Sequence, residues 1–216
     1  MSRSKSAASP PKRDRYHHGD LRRSLIEAGH QILAERGVDA LSLREAARRA
    51  KVSQAAPYHH FANKADLVSA IVEHGFGDFA AALRAGAETA GGSALQRLTG
   101  MGFAYVRFAV ANPNLFRLLF RPELRSETRA GAAAQAMERA GSAAYQVFLD
   151  AVTAAVEEGS VQGPVDDVAV AALSVVHGLA TLLVDGPVDL RQRSPDTLAR
   201  VVLSALGGGI TSREVS

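Results

Sequence analysis

Apolar residues recur at helical spacing near the start of the chain and predict a first helix from Asp20 to Arg36. Asp20 is expected to cap the N-terminus of this helix, and Gly37 is expected to end it. The apolar positions on the buried face are Leu21, Leu25, Ala28 and Ile32. Residues before this helix show no such pattern, and residues 1–15 are expected to form a disordered basic arm.

Two short helices joined by a tight turn are predicted to follow. Ser42 is expected to cap a helix over residues 43–50. Glu45, three residues later, is expected to complete a capping box, in which each side chain binds a free backbone N–H of the other's turn. Ser53 is expected to cap a third helix, from Gln54 to about His60.

Pro57 is the fourth residue of this predicted third helix, and it has no N–H to donate. The helix therefore forfeits its first intrahelical hydrogen bond, at a cost that is tolerable in the first turn. A longer helix followed by two short helices and a three-residue turn is typical of a helix-turn-helix unit.

The rest of the chain also follows the helical period, with glycine and proline between the apolar segments. These further predicted helices span residues 64–88, 94–111, 115–120, 123–158, 166–184 and 194–206. Alanine, the best helix former, dominates the hydrophobic fraction, whereas strands favour β-branched and aromatic residues. The pattern predicts an all-α protein of about nine helices, without strands or repeats.

Composition narrows the class of protein. The 216 residues include no cysteine, which excludes disulfides and thiolate metal sites and favours a reducing, cytoplasmic location. No run of about 18 apolar residues is evident, so no membrane span is expected. Residues 1–66 carry 13 Lys and Arg against 7 Asp and Glu, whereas the whole chain has a net charge of only +3. Binding of a polyanion is therefore expected at the N-terminal end.

Residues 41–67 resemble the DNA-binding domain of the TetR family of bacterial regulators, and the likeness extends over residues 17–68. The shared features are the capped second helix, the Val-Ser turn, a Tyr-x-His-Phe block and a Lys-x-x-Leu that begins the fourth helix. Nine helices in about 200 residues also fit the family. The family usually has glycine where this chain has Lys51, and a left-handed backbone there costs a non-glycine residue roughly 1 kcal/mol.

A further likeness concerns the C-terminal half. His177 and Gly178 resemble part of a Trp-His-Gly signature that marks a subgroup of the family, although Val176 stands where the tryptophan would be. The resemblance implies a helix-turn-helix domain over residues 16–63 and an effector-binding and dimerisation domain over residues 64–216.

The predicted third helix presents small residues and an amide to the major groove. Gln54 can bind adenine through two hydrogen bonds, and an alanine methyl can contact the thymine methyl. Hydroxyl, imidazole and ammonium groups around it are expected to hold the phosphates. The predicted DNA-binding set is Ser42, Ser53, Gln54, Ala55, Ala56, Tyr58, His59, His60 and Lys64.

Large side chains of the C-terminal half form either a hydrophobic core or the wall of an effector cavity, and the sequence leaves both open. The candidates for a cavity are Phe103, Phe108, Phe116, Met137, Tyr145, Phe148 and His177. The two most apolar helices, 166–184 and 194–206, are expected to pair with their copies as a four-helix bundle. Such a dimer is two-fold symmetric, so its operator should be nearly palindromic.

Enzymatic and metal chemistry are not expected. The sequence has no glycine-rich phosphate loop, nucleophile elbow or cofactor signature. The adjacent His59 and His60 point in different directions on a helix, which disfavours a metal site there. The sequence therefore predicts a DNA-binding transcriptional regulator. The resemblance implies a repressor that a small apolar effector releases from its operator. The alternative is a helical ligand-binding or adaptor protein that does not bind DNA.

Overall fold

A computed structural model describes residues 18–120, 131–186 and 193–211 of the chain. The described residues form eight α-helices and two short 3-10 helices, Val38–Ala40 and Ala56–His59, with no strand among them. The α-helices are α1 (His18–Arg36), α2 (Leu43–Arg49), α3 (Lys64–Ala90), α4 (Ala94–Ala111), α5 (Pro113–Phe120), α6 (Ala132–Glu157), α7 (Val165–Asp185) and α8 (Pro195–Thr211). The prediction of an all-α protein is confirmed.

Helix ends follow local capping chemistry. Asn63 accepts a hydrogen bond from the backbone N–H of Asp66 at 3.0 Å and so starts α3. Ser93 and Gln96 form a full capping box at the start of α4. The predicted cap at Asp20 is wrong, because α1 begins at His18.

The basic arm and the first residues of the predicted helix 123–158 lie outside the described residues.

The N-terminal helices pack around a small apolar core. Leu25 and Ile32 of α1 are fully buried, as is Leu67 at the start of α3. Phe61, between the second 3-10 helix and α3, is also buried and belongs to the same cluster. That cluster continues into the C-terminal half, so α3 connects the N-terminal helices to the helical body of the protein.

The longest of the described helices, α3, packs most extensively against α4 and α6. Its crossing with α4 is made by Gly86 and Gly100. A Cβ added to Gly86 would lie 2.7 Å from the backbone oxygen of Gly100 and 2.6 Å from the Cβ of Ala104. The two backbones can approach this closely only because these positions lack side chains.

The last two helices, α7 and α8, pack against each other and against α4. Arg107 of α4 holds Asp196 of α8 through two hydrogen bonds of 2.8 and 2.9 Å. Within the part of the chain that the structure describes, α7 alone is long and apolar enough to span a membrane. The core helix of a soluble protein can have the same length and composition. Only 33% of its most apolar window is buried in the single chain, so much apolar surface faces outward.

Candidate nucleic-acid interface

The predicted third helix of the helix-turn-helix unit is a turn at residues 54–55 followed by the 3-10 helix Ala56–His59. Its hydrogen bonds join residues three apart: Ala56 N–H donates to Ser53 O at 3.0 Å, and Tyr58 N–H to Ala55 O at 3.2 Å. The α-helical bond from residue 57 to residue 53 is impossible, because proline has no N–H. The 3-10 pattern is how this sequence satisfies its other amides.

Residues 54–59 are called the reading element below. One side of the reading element is anchored by apolar packing, and the other side is exposed. Pro57 and Phe61 are buried beneath it. Gln54 and Ala55 are exposed, as is Tyr58, with 53% of its surface accessible. The side chains predicted to meet DNA are therefore available for contact, on a segment fixed from behind by apolar packing.

The other predicted DNA-binding residues flank this element. Ser53 and His59 are exposed, whereas Ser42, Ala56, His60 and Lys64 are half-buried. The hydroxyl of Ser42 accepts the N–H of Glu45 at 3.1 Å and caps α2. The backbone carbonyl of Ser53 accepts the N–H of Ala56. The predicted cap by the Ser53 side chain does not form.

The predicted capping box at Ser42 is only half formed. The carboxylate of Glu45 accepts hydrogen bonds from Arg48 at 2.9 and 2.6 Å and from Arg36 at 3.3 Å. The hydrogen bond from Arg48 lowers the pKa of Glu45. Arg36 and Arg48 are charged donors, whereas the backbone N–H of Ser42 is neutral, and pairing with the two guanidinium groups therefore competes with closure of the capping box.

Cations in this region fall into two groups. Arg48 and Arg49 are engaged by Glu45 and Glu35, and the hydrogen bond from Arg49 lowers the pKa of Glu35. Arg44, Lys51 and Lys64 have no ion pair among the described residues. The cations of the second group can therefore pair with an external anion. The sequence alone did not separate these two groups of cations.

Lys51 adopts the left-handed conformation expected from the glycine that the family usually has there. Its φ is 57°, and it is the one non-glycine residue with positive φ among the residues described. Lys51→Gly is expected to raise the free energy of unfolding by about 1 kcal/mol, measured by urea denaturation. Lys51→Ala removes the same charge but keeps the strain, so it should gain nothing. Equal stability of the two variants would contradict this account of the turn.

The candidate effector residues are distributed over several places. Phe148 lines an apolar cavity with Met101, Tyr105 and Val176 between the helices of the C-terminal half. Phe103 and Phe108 line a separate, more open groove. Phe116 and His177 border a third, small cavity, and Met137 packs against the main core. Tyr145 is 43% exposed.

His177 is tied into the core on one side. Its Nδ1 lies 2.8 Å from the hydroxyl of Tyr105. Burial lowers the pKa of His177 and raises the pKa of Tyr105, so both side chains are neutral near pH 7. The aliphatic cavity residues Leu95, Leu98 and Leu203 were not singled out from the sequence, because they have the same pattern as core positions.

A capped short helix, a tight turn and an anchored, exposed reading element define a helix-turn-helix DNA-binding protein, here joined to a helical body with an internal cavity. Residues 25–71 match the family described as bacterial regulatory proteins, tetR family. Residues 98–206 match the tetracyclin repressor-like C-terminal domain. The chain belongs to the TetR family, and it is a DNA-binding transcriptional regulator with a C-terminal ligand-binding domain. The subgroup indicated by His177 and Gly178 stays a prediction.

Solved structures share this fold. A protein of unknown function from Rhodococcus sp. RHA1 is 34% identical, with a TM-score of 0.79 over 92% of this chain and 100% of that chain. A tetR-family regulatory protein from Rhodococcus RHA1 is 20% identical, with a TM-score of 0.66 over 90% of this chain and 98% of that one. The regulator FadR from Bacillus subtilis, solved with stearoyl-CoA, is 17% identical. Its TM-score is 0.68 over 87% of this chain and 98% of that chain.

Proposed function

We propose that this protein is a cytoplasmic, homodimeric repressor that binds a nearly palindromic operator and is released by a small apolar effector. Residues 16–63 act as its DNA-binding domain, and residues 64–216 act as its effector-binding and dimerisation domain. The observation that carries the proposal is the exposure of Gln54 and Tyr58 on a segment anchored by Pro57 and Phe61. An exposed amide above an apolar anchor suits contact with base edges in the major groove.

The two kinds of DNA contact are assigned to different residues. Gln54, Ala55 and Ala56 read bases, because they begin the exposed element and the N-terminal end of a recognition segment meets the bases. The hydroxyls of Ser42, Ser53 and Tyr58 and the side chains of His59, His60 and Lys64 contact phosphates, which fixes the register without reading sequence. Lys64 lies in the first turn of α3, where free backbone N–H groups also favour an anion.

Gln54→Ala and Lys64→Ala are expected to weaken DNA binding in different ways. Loss of the amide should relax base preference at one position, at about 1–3 kcal/mol of discrimination. Loss of the ammonium should weaken all sequences about equally and reduce the salt dependence by about one phosphate contact. Affinity across a panel of single-base operator variants distinguishes them. If both variants gave the same profile, the division of roles would be wrong.

Dimerisation is proposed through α7 and α8, which correspond to the predicted segments 166–184 and 194–206. Val170 and Leu182 of α7 are 63% and 42% exposed, and Val201 of α8 is 50% exposed. Two packed helices with apolar outer faces can pair with their copies as a four-helix bundle. Such a contact uses the same surface on both chains and brings the two reading elements into two-fold symmetry.

The apolar cavity is the proposed effector site. Its volume is about 210 Å³, and none of its lining side chains is charged. Thr99, Tyr105 and Ser204 supply its polar groups, so a compact apolar molecule with one or two hydrogen-bonding groups fits it. FadR, which shares this fold, was solved with stearoyl-CoA, a ligand whose acyl chain is apolar, and this supports an apolar group on the effector. Of the seven residues predicted for the site, Phe148 lines this cavity, and the other six stay predictions.

Release from DNA requires the effector to bind the DNA-incompetent arrangement more tightly, so effector and operator must weaken each other by the same factor. Calorimetric titration of the effector into free and operator-bound protein measures this factor. A molecule that saturates the cavity without changing operator affinity would contradict the mechanism while leaving DNA binding intact.

A further inference from the structure

Two histidines and an aspartate meet where α1 crosses α3. His30 lies on α1, and His74 and Asp78 lie one turn apart on α3. The rings of His30 and His74 meet edge-on with their centroids 5.2 Å apart, and Nδ1 of His74 lies 3.1 Å from Oδ2 of Asp78. One nitrogen of each histidine and one oxygen of Asp78 all lie within 4.8 Å of one another.

The buried nitrogen of His30 has no hydrogen-bond partner. Its Nε2 is shielded from solvent and accepts or donates no hydrogen bond among the described residues. A buried polar atom without a partner costs about 1–3 kcal/mol. Buried polar groups are normally hydrogen-bonded, so a ligand bound at this nitrogen would remove the cost.

We propose that His30, His74 and Asp78 bind one divalent transition-metal ion of the Zn²⁺ type across the crossing of α1 and α3. Two imidazoles and a carboxylate suit Zn²⁺, whereas Mg²⁺ and Ca²⁺ prefer oxygen ligands alone. Donor atoms around tetrahedral Zn²⁺ lie roughly 3.4 Å apart at the usual bond lengths. Side-chain rotations would have to adjust the donor atoms, which lie within 4.8 Å of one another, to that spacing.

The helix crossing holds the ligands near one another before the ion arrives. Gly29, next to His30, faces Ile71, one turn before His74, and a Cβ on Gly29 would lie 2.6 Å from Cδ1 of Ile71. The helices therefore approach closely at this point. His74 and Asp78 are half exposed, which leaves a path for the ion and room for a water as the fourth ligand.

The charge balance around the cluster favours a cation. Asp78 and Glu27 are the acidic groups that act on His30, and Glu27 is shared with Arg23 at 2.9 Å. Burial, followed by the nearby His74, lowers the pKa of His30, so its lone pair is available near neutral pH. A metal ion binds the neutral imidazole, so burial favours the metal-binding form of His30.

The ion would tie a helix of the DNA-binding unit to the helix that leads into the body of the protein. It would stabilise the arrangement seen here, because a ligand that binds only the folded state raises the free energy of unfolding. This proposal does not depend on operator binding, and it revises the expectation of no metal site that was drawn from the sequence.

The test uses untagged, chelator-treated full-length protein titrated with Zn²⁺ by calorimetry. We expect one ion per chain, and we expect His74→Gln and His30→Gln each to weaken binding at least about tenfold. His59→Gln replaces an exposed histidine outside the cluster, and this variant should bind Zn²⁺ with wild-type affinity. Zn²⁺ should raise the melting temperature of the wild type and of His59→Gln but not of the other two variants. Circular dichroism confirms that all four proteins are folded.

Several outcomes would overturn the proposal. No stoichiometric binding would show that the cluster is not a metal site. Unchanged affinity in His30→Gln with loss in His74→Gln would place an ion on α3 alone and remove the link to α1. Loss in His59→Gln with retention in His74→Gln would place it on the DNA-facing surface.

Discussion

Replacing Leu182 and Val201 together by glutamate is expected to convert the protein from a dimer to a monomer and to weaken operator binding by about 100-fold or more. Both residues are about half exposed in the single chain, so the substitutions should leave its fold intact. In a two-fold symmetric interface each substitution occurs twice, and each buried, unpaired charge is costly. A monomer also loses the gain from binding two linked half-sites. Light scattering gives the oligomeric state, and fluorescence anisotropy gives the operator affinity.

Val110→Glu is the matched control. Val110 is an apolar side chain of α4 with 38% of its surface exposed, and it lies outside α7 and α8. This variant should remain dimeric and bind the operator with wild-type affinity. A double variant of Leu182 and Val201 that stays dimeric would place the interface elsewhere.

Gly86→Ala is expected to lower the free energy of unfolding by about 1–3 kcal/mol, although alanine is the better helix former. The added methyl would meet the backbone of Gly100 and the Cβ of Ala104, and none of these atoms can rotate away. The helices α3 and α4 must therefore separate, which loosens the most extensive helix contact among the described residues. Urea denaturation followed by circular dichroism measures the loss.

Gly77→Ala on the same helix separates this packing effect from helix propensity. Gly77 is exposed, and a Cβ there would meet no atom within 4 Å. The substitution should raise the free energy of unfolding by about 0.5–1 kcal/mol, because glycine is unfavourable inside a helix. Both glycine variants changing stability in the same direction would contradict the close crossing.

Much of the fold could be predicted because its signals are local. The periodicity of apolar residues gave the helix at Ala94–Ala111 with its observed bounds, since Ser93 and Asn112 mark both ends. The left-handed backbone at Lys51 followed from comparison with a family that has glycine there. The reading element was less predictable, because Pro57 converts an expected α-helix into a 3-10 helix.

Features that depend on long-range contacts could not be predicted from the sequence. Glu45 is paired with Arg36 and Arg48 instead of closing its capping box, and the partner from α1 is brought near only by folding. His30 and His74 lie far apart in the sequence, so their meeting with Asp78 had no local signature. Likewise, nothing in the sequence distinguishes the aliphatic wall of the cavity from ordinary core.

Selection of bound sequences from a random pool of duplex DNA tests the central claim most directly. The account predicts enrichment of a nearly palindromic site whose half-sites lie roughly 34 Å apart, about one turn of the double helix. It also predicts that Gln54→Ala loses base preference at a symmetric pair of positions in that site. No enrichment above the starting pool would contradict DNA recognition and would support a helical ligand-binding or adaptor protein instead.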